Sequence, residues 1–156
     1  MSENKSEELV YPEGSLNGEL FDCRSLEELK KLLKDNQIDT KRVRNWRKET
    51  LLHRYSWIVL DGVLAFLIEQ GVDVNAQSYD GFTALHNLVR YYPETFEDFL
   101  YNGKQNVDTH LKWNDGSMNL DVREYAEYLI ETKDFGSRPS EVRRIIAIID
   151  DYRKSL

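Results

Sequence analysis

Apolar residues in this chain come in short groups at helical spacing, separated by Asp-Gly and other turn pairs. After Thr50, the residues Leu51, Leu52, Tyr55, Ile58 and Val59 recur at steps of about three to four. A threonine ahead of such a run is placed to cap the first helical turn with its hydroxyl. The pattern breaks at Asp61-Gly62. It resumes with Val63, Leu64, Phe66, Leu67 and Ile68, which predict a helix apolar on most sides. Such helices belong between other elements rather than on a surface. Gly71 stands just past that helix, where a left-handed residue closes it. Val72 to Gly81 is turn-rich and extended, and Thr83 opens the next apolar run.

The same grammar continues outward. Ser25-Leu26-Glu27-Glu28 forms a capping box before LKKLLK, with a short helix predicted ahead of it from Ser15 to Asp22. In PETFEDFL, Pro93 suits the first position of a helix. Two last helices are predicted over about Asn119–Thr132 and Pro139–Tyr152, joined by a long connection from Lys133 to Arg138.

Two of these segments repeat. KETLLH (Lys48 to His53) aligns with GFTALH (Gly81 to His86), setting Thr50 against Thr83 and His53 against His86 at a spacing of 33. VDVNAQSYDG (Val72 to Gly81) aligns with VDTHLKWNDG (Val107 to Gly116), with four identities at a spacing of 35. A period near this length signals supersecondary units that bury their faces against one another.

The continuous stretch GVDVNAQSYDGFTALH resembles the ankyrin repeat, whose pattern is D-x-x-G-x-T-P-L-H, two helices, then G-A-D-V-N. Residues 45–75 supply N-x-x-K-x-T-L-L-H and GVDVN, and residues 78–86 supply S-x-x-G-x-T-A-L-H. Further on, GSMNLD keeps only the glycine and leucine. The resemblance implies an all-α solenoid of about four helix-turn-helix units joined by hairpin-like loops. Their bounds would be about 13–44, 45–77, 78–112 and 113–156, after a flexible acidic tail at 1–12. The chain departs from the family at Tyr91-Tyr92-Pro93, which replaces a short Gly-containing turn. It also departs by two extra residues before Val107 and by its long last unit.

The resemblance also assigns structural roles to Thr50, His53, Gly71, Gly81, Thr83, His86 and Gly116. Duplication of the histidine at one period points the same way, since an active site is not repeated at every period. His110 reads as a loop histidine with no second ligand at a metal spacing. The glycines at 81 and 116 lack the acidic positions of an EF-hand, and no phosphate loop, nucleophile elbow or H-E-x-x-H occurs. No catalytic residue, metal or cofactor is expected.

Charge sharpens the picture. The net charge is −7, which disfavours general binding to nucleic acid or to an anionic membrane. Yet residues 30–54 hold nine Lys or Arg against three acids, while residues 55–100 hold one Arg against seven. TKRVRNWRK (Thr40 to Lys48) crowds Lys41, Arg42, Arg44, Arg47 and Lys48 around Trp46. That suits an acidic protein segment or a phosphate-rich ligand. The single cysteine, Cys23, supports no disulfide framework and reads as a buried thiol. With no apolar leader or membrane-length run, a cytoplasmic protein is expected, or a nuclear one in a eukaryote.

In the ankyrin architecture, loop tips and the inner face of the first helices meet partners. Here the tips are Asn45-Trp46-Arg47, Ser78-Tyr79-Asp80 and Trp113-Asn114-Asp115, each with one large aromatic. The inner face adds Arg54, Trp57, Asn87, Arg90 and Tyr91. Trp, Tyr and Arg dominate interface energetics. The expectation is therefore a monomeric adaptor or inhibitor that masks a protein partner. The alternative is a nucleotide or oligonucleotide sensor that stacks bases on the tip aromatics, with Arg47 on phosphate.

Overall fold

The computed structural model describes residues 9–58, 60–102, 106–133 and 138–156. Val59, the centre of the Lys133-to-Arg138 connection, part of the insertion before Val107 and the first eight residues of the expected tail lie outside the described residues. The protein is mostly helical. Helices α1 (Ser15–Leu20), α2 (Leu26–Asp35), α3 (Leu51–Trp57), α4 (Val63–Glu69), α5 (Ala84–Tyr91) and α6 (Pro93–Asn102) precede a two-stranded ladder, followed by α7 (Val122–Thr132) and α8 (Pro139–Ser155). Helices pack in consecutive pairs: α1 on α2, α3 on α4, α5 on α6 and α7 on α8. Across pairs, α5 lies between α3 and α7, and α6 packs on α8. Leu51, Leu52, Leu67, Leu85, Leu88 and Phe96 fill the space between them.

Several expected boundaries move, each for a local reason. The seventh helix starts at Val122 rather than near Asn119, because Asn119 and Leu120 form strand β2 (Asn119–Leu120) against β1 (Trp113–Asn114). Asp121 then caps α7: its carboxylate accepts from the Arg123 and Glu124 amides, and the Glu124 carboxylate accepts from the Asp121 amide at 2.8 Å. The first helix stops at Leu20, and α3 stops at Trp57, leaving Ile58 beyond it. Residues 9–12 are not a free tail. The Val10 amide donates to the Arg42 carbonyl and the Arg44 amide donates back to Val10, each at 2.9 Å. On α4 the apolar surface is narrower than expected: Val63, Leu64 and Leu67 are buried, while Phe66 and Ile68 are partly covered. Its end is closed as predicted. Gly71, at φ +84°, donates to Ile68 at 3.0 Å, and Val72 donates to Leu67 at 3.1 Å, the paired bonds of a Schellman ending.

The loop at 45–49 and the loop at 78–82 share one geometry. In the first, Asn45 donates to Glu49 and Lys48 donates to Asn45; in the second, Ser78 donates to Phe82 and Gly81 to Ser78. Lys48 holds the left-handed φ of +60° that Gly81 holds at +84°. Only at 81 is a side chain also excluded by space, since an added Cβ would stand 2.3 Å from the Lys112 carbonyl oxygen. The loops are tied to each other as well: the Tyr79 amide donates to Arg47 at 2.8 Å and the Asn114 amide donates to Asp80 at 2.7 Å.

The two histidines lock this arrangement. His53 Nδ1 accepts from the Thr50 amide at 2.9 Å, so Nε2 carries the proton and donates to the Phe82 carbonyl at 2.8 Å. His86 repeats the pattern with Thr83 at 3.2 Å and the Leu120 carbonyl at 3.1 Å. Both rings are buried. Burial lowers the His86 imidazole to about 4, partly offset by its bond to Leu120; His53 is lowered for the same reason.

The glycines and the histidines each set outcomes for stability. Gly81→Ala combines a left-handed φ with a backbone clash, so urea denaturation should show a loss of about 2 kcal/mol or more. Gly116→Ala, which has the φ but open space, should lose about 1 kcal/mol. Because unfolding returns His86 to about 6.5, the unfolded state takes up a proton that the folded state refuses. Stability from this residue is complete above about pH 6.5 and falls as pH drops towards about 4, by about 3 kcal/mol in all. His86→Asn should be less stable at neutral pH and show a shallower decline over that interval. An unchanged slope in urea titrations would exclude the imidazole as the source.

Candidate functional site

The twofold use of the threonine–histidine turn sets α3 beside α5 with their outward residues on one face. Between them and the loops lies a cleft of about 300 Å³. The 45–49 loop contributes Arg47 and Glu49, α3 contributes His53, Arg54 and Trp57, the next loop contributes Phe82, and α5 contributes Asn87 and Tyr91. Five of the residues expected to meet a partner, Arg47, Arg54, Trp57, Asn87 and Tyr91, are thus brought together. Trp46 and Tyr79 stand on the loop tips, 83% and 81% exposed.

Cations accompany the rings. The guanidinium of Arg54 lies 4.8 Å from the centre of the Trp57 ring and that of Arg47 lies 5.8 Å from Trp46. Lys48 Nζ lies 5.8 Å from the centre of Tyr79, and Arg90 lies 5.3 Å from Tyr91. Such contacts hold a ring and a charge side by side. Arg54 also holds the fold: its Nε donates to the Phe21 carbonyl at 2.7 Å and its Nη2 to Asp22 at 2.8 Å. Trp57 and Tyr91 face each other at 6.3 Å between ring centres, tilted by 50°.

Three residues from the expected set are engaged elsewhere. Trp113 packs edge-on against Phe82 and Tyr125, and its Nε1 donates to the Asp80 carboxylate at 3.1 Å. Asp80 also accepts from the Ser78 hydroxyl at 2.6 Å. Burial opposes ionisation of Asp80, but these hydrogen bonds outweigh it and hold the carboxyl below its usual range. Asn114 gives its amide to Asp80, and its side-chain oxygen accepts from Gly116. This third tip is therefore packed into the loop structure.

Glu49 and Phe82 line the cleft and were not singled out from sequence. They occupy the same place, one residue before Thr50 and Thr83, and that repetition was the available signal. Glu49 accepts from the Asn45 side chain at 2.8 Å and lies 3.8 Å from Arg47 Nε. Asn87 donates to the His53 carbonyl at 2.9 Å and to the Ser56 hydroxyl at 3.2 Å, so its amide spans α3 and α5.

Several of the cleft's polar groups are already hydrogen-bonded within the fold. The cleft imidazole, His53, has both ring nitrogens occupied by Thr50 and Phe82, leaving no lone pair to take a substrate proton. Among the described residues no group of three or more His, Cys, Asp or Glu could hold a metal ion. The Cys23 thiol is buried, donates to the Glu19 carbonyl, and is raised by burial, away from the thiolate form. His110 is an exposed loop residue, and Glu97 pairs with Arg144 at 2.7 Å. Among the described residues no helix is long and apolar enough to cross a membrane. No family model matches the chain, and neither does any curated protein.

Proposed function

We propose that the chain is a solenoid of helix pairs similar to the ankyrin class. In this reading it binds and masks a protein partner through the α3–α5 cleft and the two aromatic loop tips. The observation that carries this reading is the position of Trp46, Trp57 and Tyr79. All three are exposed and sit on or beside one cleft; Trp57 ends helix α3, and the loops that bear Trp46 and Tyr79 are held by backbone hydrogen bonds. Large rings left in water on a pre-ordered face favour binding, because little conformational entropy remains to be lost there.

The solenoid reading is supported by ties that recur at nearly one period. Tyr79 to Arg47, Asn114 to Asp80, His86 to Leu120 and the Asp108 amide to Asn75 span 32, 34, 34 and 33 residues. Binding is favoured over catalysis because the cleft imidazole is fully hydrogen-bonded.

The test is affinity capture from the native lysate, with the wild-type chain and a Trp46→Ala/Tyr79→Ala variant as baits. Both rings are exposed, so the variant's thermal midpoint should stay within about 3 °C of wild type. A specific protein held by wild type should be lost from the variant, with affinity weakened by at least about tenfold. Identical capture by both baits, or a variant that no longer folds, would remove these tips from the binding role.

A further inference from the structure

We infer that the segment received by the cleft is an acidic peptide stretch of a partner protein, with one apolar anchor flanked by carboxylates. This rests on the reading of the cleft as a docking site and adds the chemistry of what docks. Charge and shape carry it together. Along the cleft and its rim, Arg47, Lys48 and Arg54 alternate with Trp46, Tyr79 and Trp57. At one end, the Trp57 and Tyr91 rings 6.3 Å apart offer an apolar wall. At the other, Arg47 and Lys48 project from a loop, both exposed.

The volume of about 300 Å³ suits one side chain and its neighbours rather than a folded domain. The anchor therefore enters, and the flanking carboxylates remain at the rim. Of the cations along the cleft, Arg54 is already held by Asp22 at 2.8 Å, so Arg47 and Lys48 carry the charge offered to a ligand. Glu49 stands 3.8 Å from Arg47 Nε, a loose pairing that a closer carboxylate can replace, and Asn45 still holds Glu49 at 2.8 Å. Among the described residues no carboxylate lies within ion-pair distance of Lys48.

The net charge of −7 does not argue against an acidic partner. At physiological salt, fields fade over about 8 Å, so a docked segment senses the nearby cations more than the distant acids. The acidic remainder instead disfavours other orientations of the same partner, which is how charge patterns confer specificity.

The experiment pans a displayed library of random short peptides on the full chain, then measures one enriched synthetic peptide by calorimetry. Enriched peptides should carry Asp or Glu on both sides of a Trp, Tyr, Phe or Leu. Binding should weaken by about tenfold when ionic strength rises to about 0.15 M, and again in an Arg47→Glu/Lys48→Glu variant. Lys48→Glu alone gives a second reading, because its side chain is exposed, with Nζ 5.8 Å from the centre of the Tyr79 ring, and folding should be unaffected. Neutral or basic peptides that still require Trp57 would overturn the acidic assignment while leaving the docking face in place. No peptide that depends on Trp46, Trp57 or Tyr79 would overturn both. Binding of oligothymidylate in place of any peptide would also overturn it, since the face would then read phosphate and bases.

Discussion

A neutral imidazole buried at the start of α3, and another at the start of α5, hold the elements of this protein in register. Each ring accepts from a threonine amide in its own turn and donates to a carbonyl in the loop or strand that follows. One side chain thus satisfies a helix-start donor and a distant acceptor at once. Leaving either buried group unmade would cost about 1–3 kcal/mol. Because the ring must stay neutral to accept at Nδ1, burial and hydrogen bonding reinforce each other. The desolvation that lowers His86 to about 4 is the same condition that keeps Nδ1 available to Thr83.

That lock has a consequence for the surface. The loops between helices are held by amides paired across loops, Tyr79 with Arg47 and Asn114 with Asp80, and by corner side chains: Asn45 accepts from the Arg47 and Glu49 amides and Ser78 from the Phe82 amide. Gly81 allows the second approach to be so close that the Lys112 carbonyl fills the space of a Cβ. With the loops held in this way, the rings of Trp46 and Tyr79 stay exposed. The α3–α5 face is built similarly: Asn87 bridges the two helices, while Trp57 and Tyr91 stay beside the opening.

Features set by neighbours in the chain were legible in the sequence. The Thr-x-x-His turns, the glycine that ends α4, Pro93 at the start of α6 and the Ser25 cap each act over a few residues. Five cleft residues followed from placing those local turns at one period. Pairings beyond the helix turns were not legible, whether their partners lie a few residues away or far along the chain. Helix α7 starts late because Asn119 and Leu120 pair with residues across a turn, while Asp121 supplies the local cap. The Val10 tie depends on Arg42 and Arg44, far along the chain. Polarity alone could not reveal that Asp80 would be held by Ser78 and Trp113.

The three loop aromatics show how context decides between packing and display. Trp46, Tyr79 and Trp113 stand at spacings of 33 and 34, on loops of similar sequence. Trp113 has Phe82 on one side, Tyr125 of α7 on another and a carboxylate for its indole N–H, so its ring joins the structure. Trp46 has Arg47 for company and remains 83% exposed. A ring of this size buries about 150–250 Å² when covered, which at about 25 cal/mol/Å² represents about 4–6 kcal/mol. In Trp113 part of that is already realised within the fold. In Trp46 and Tyr79 it is still in hand, and only a second molecule laid over the tips can realise it.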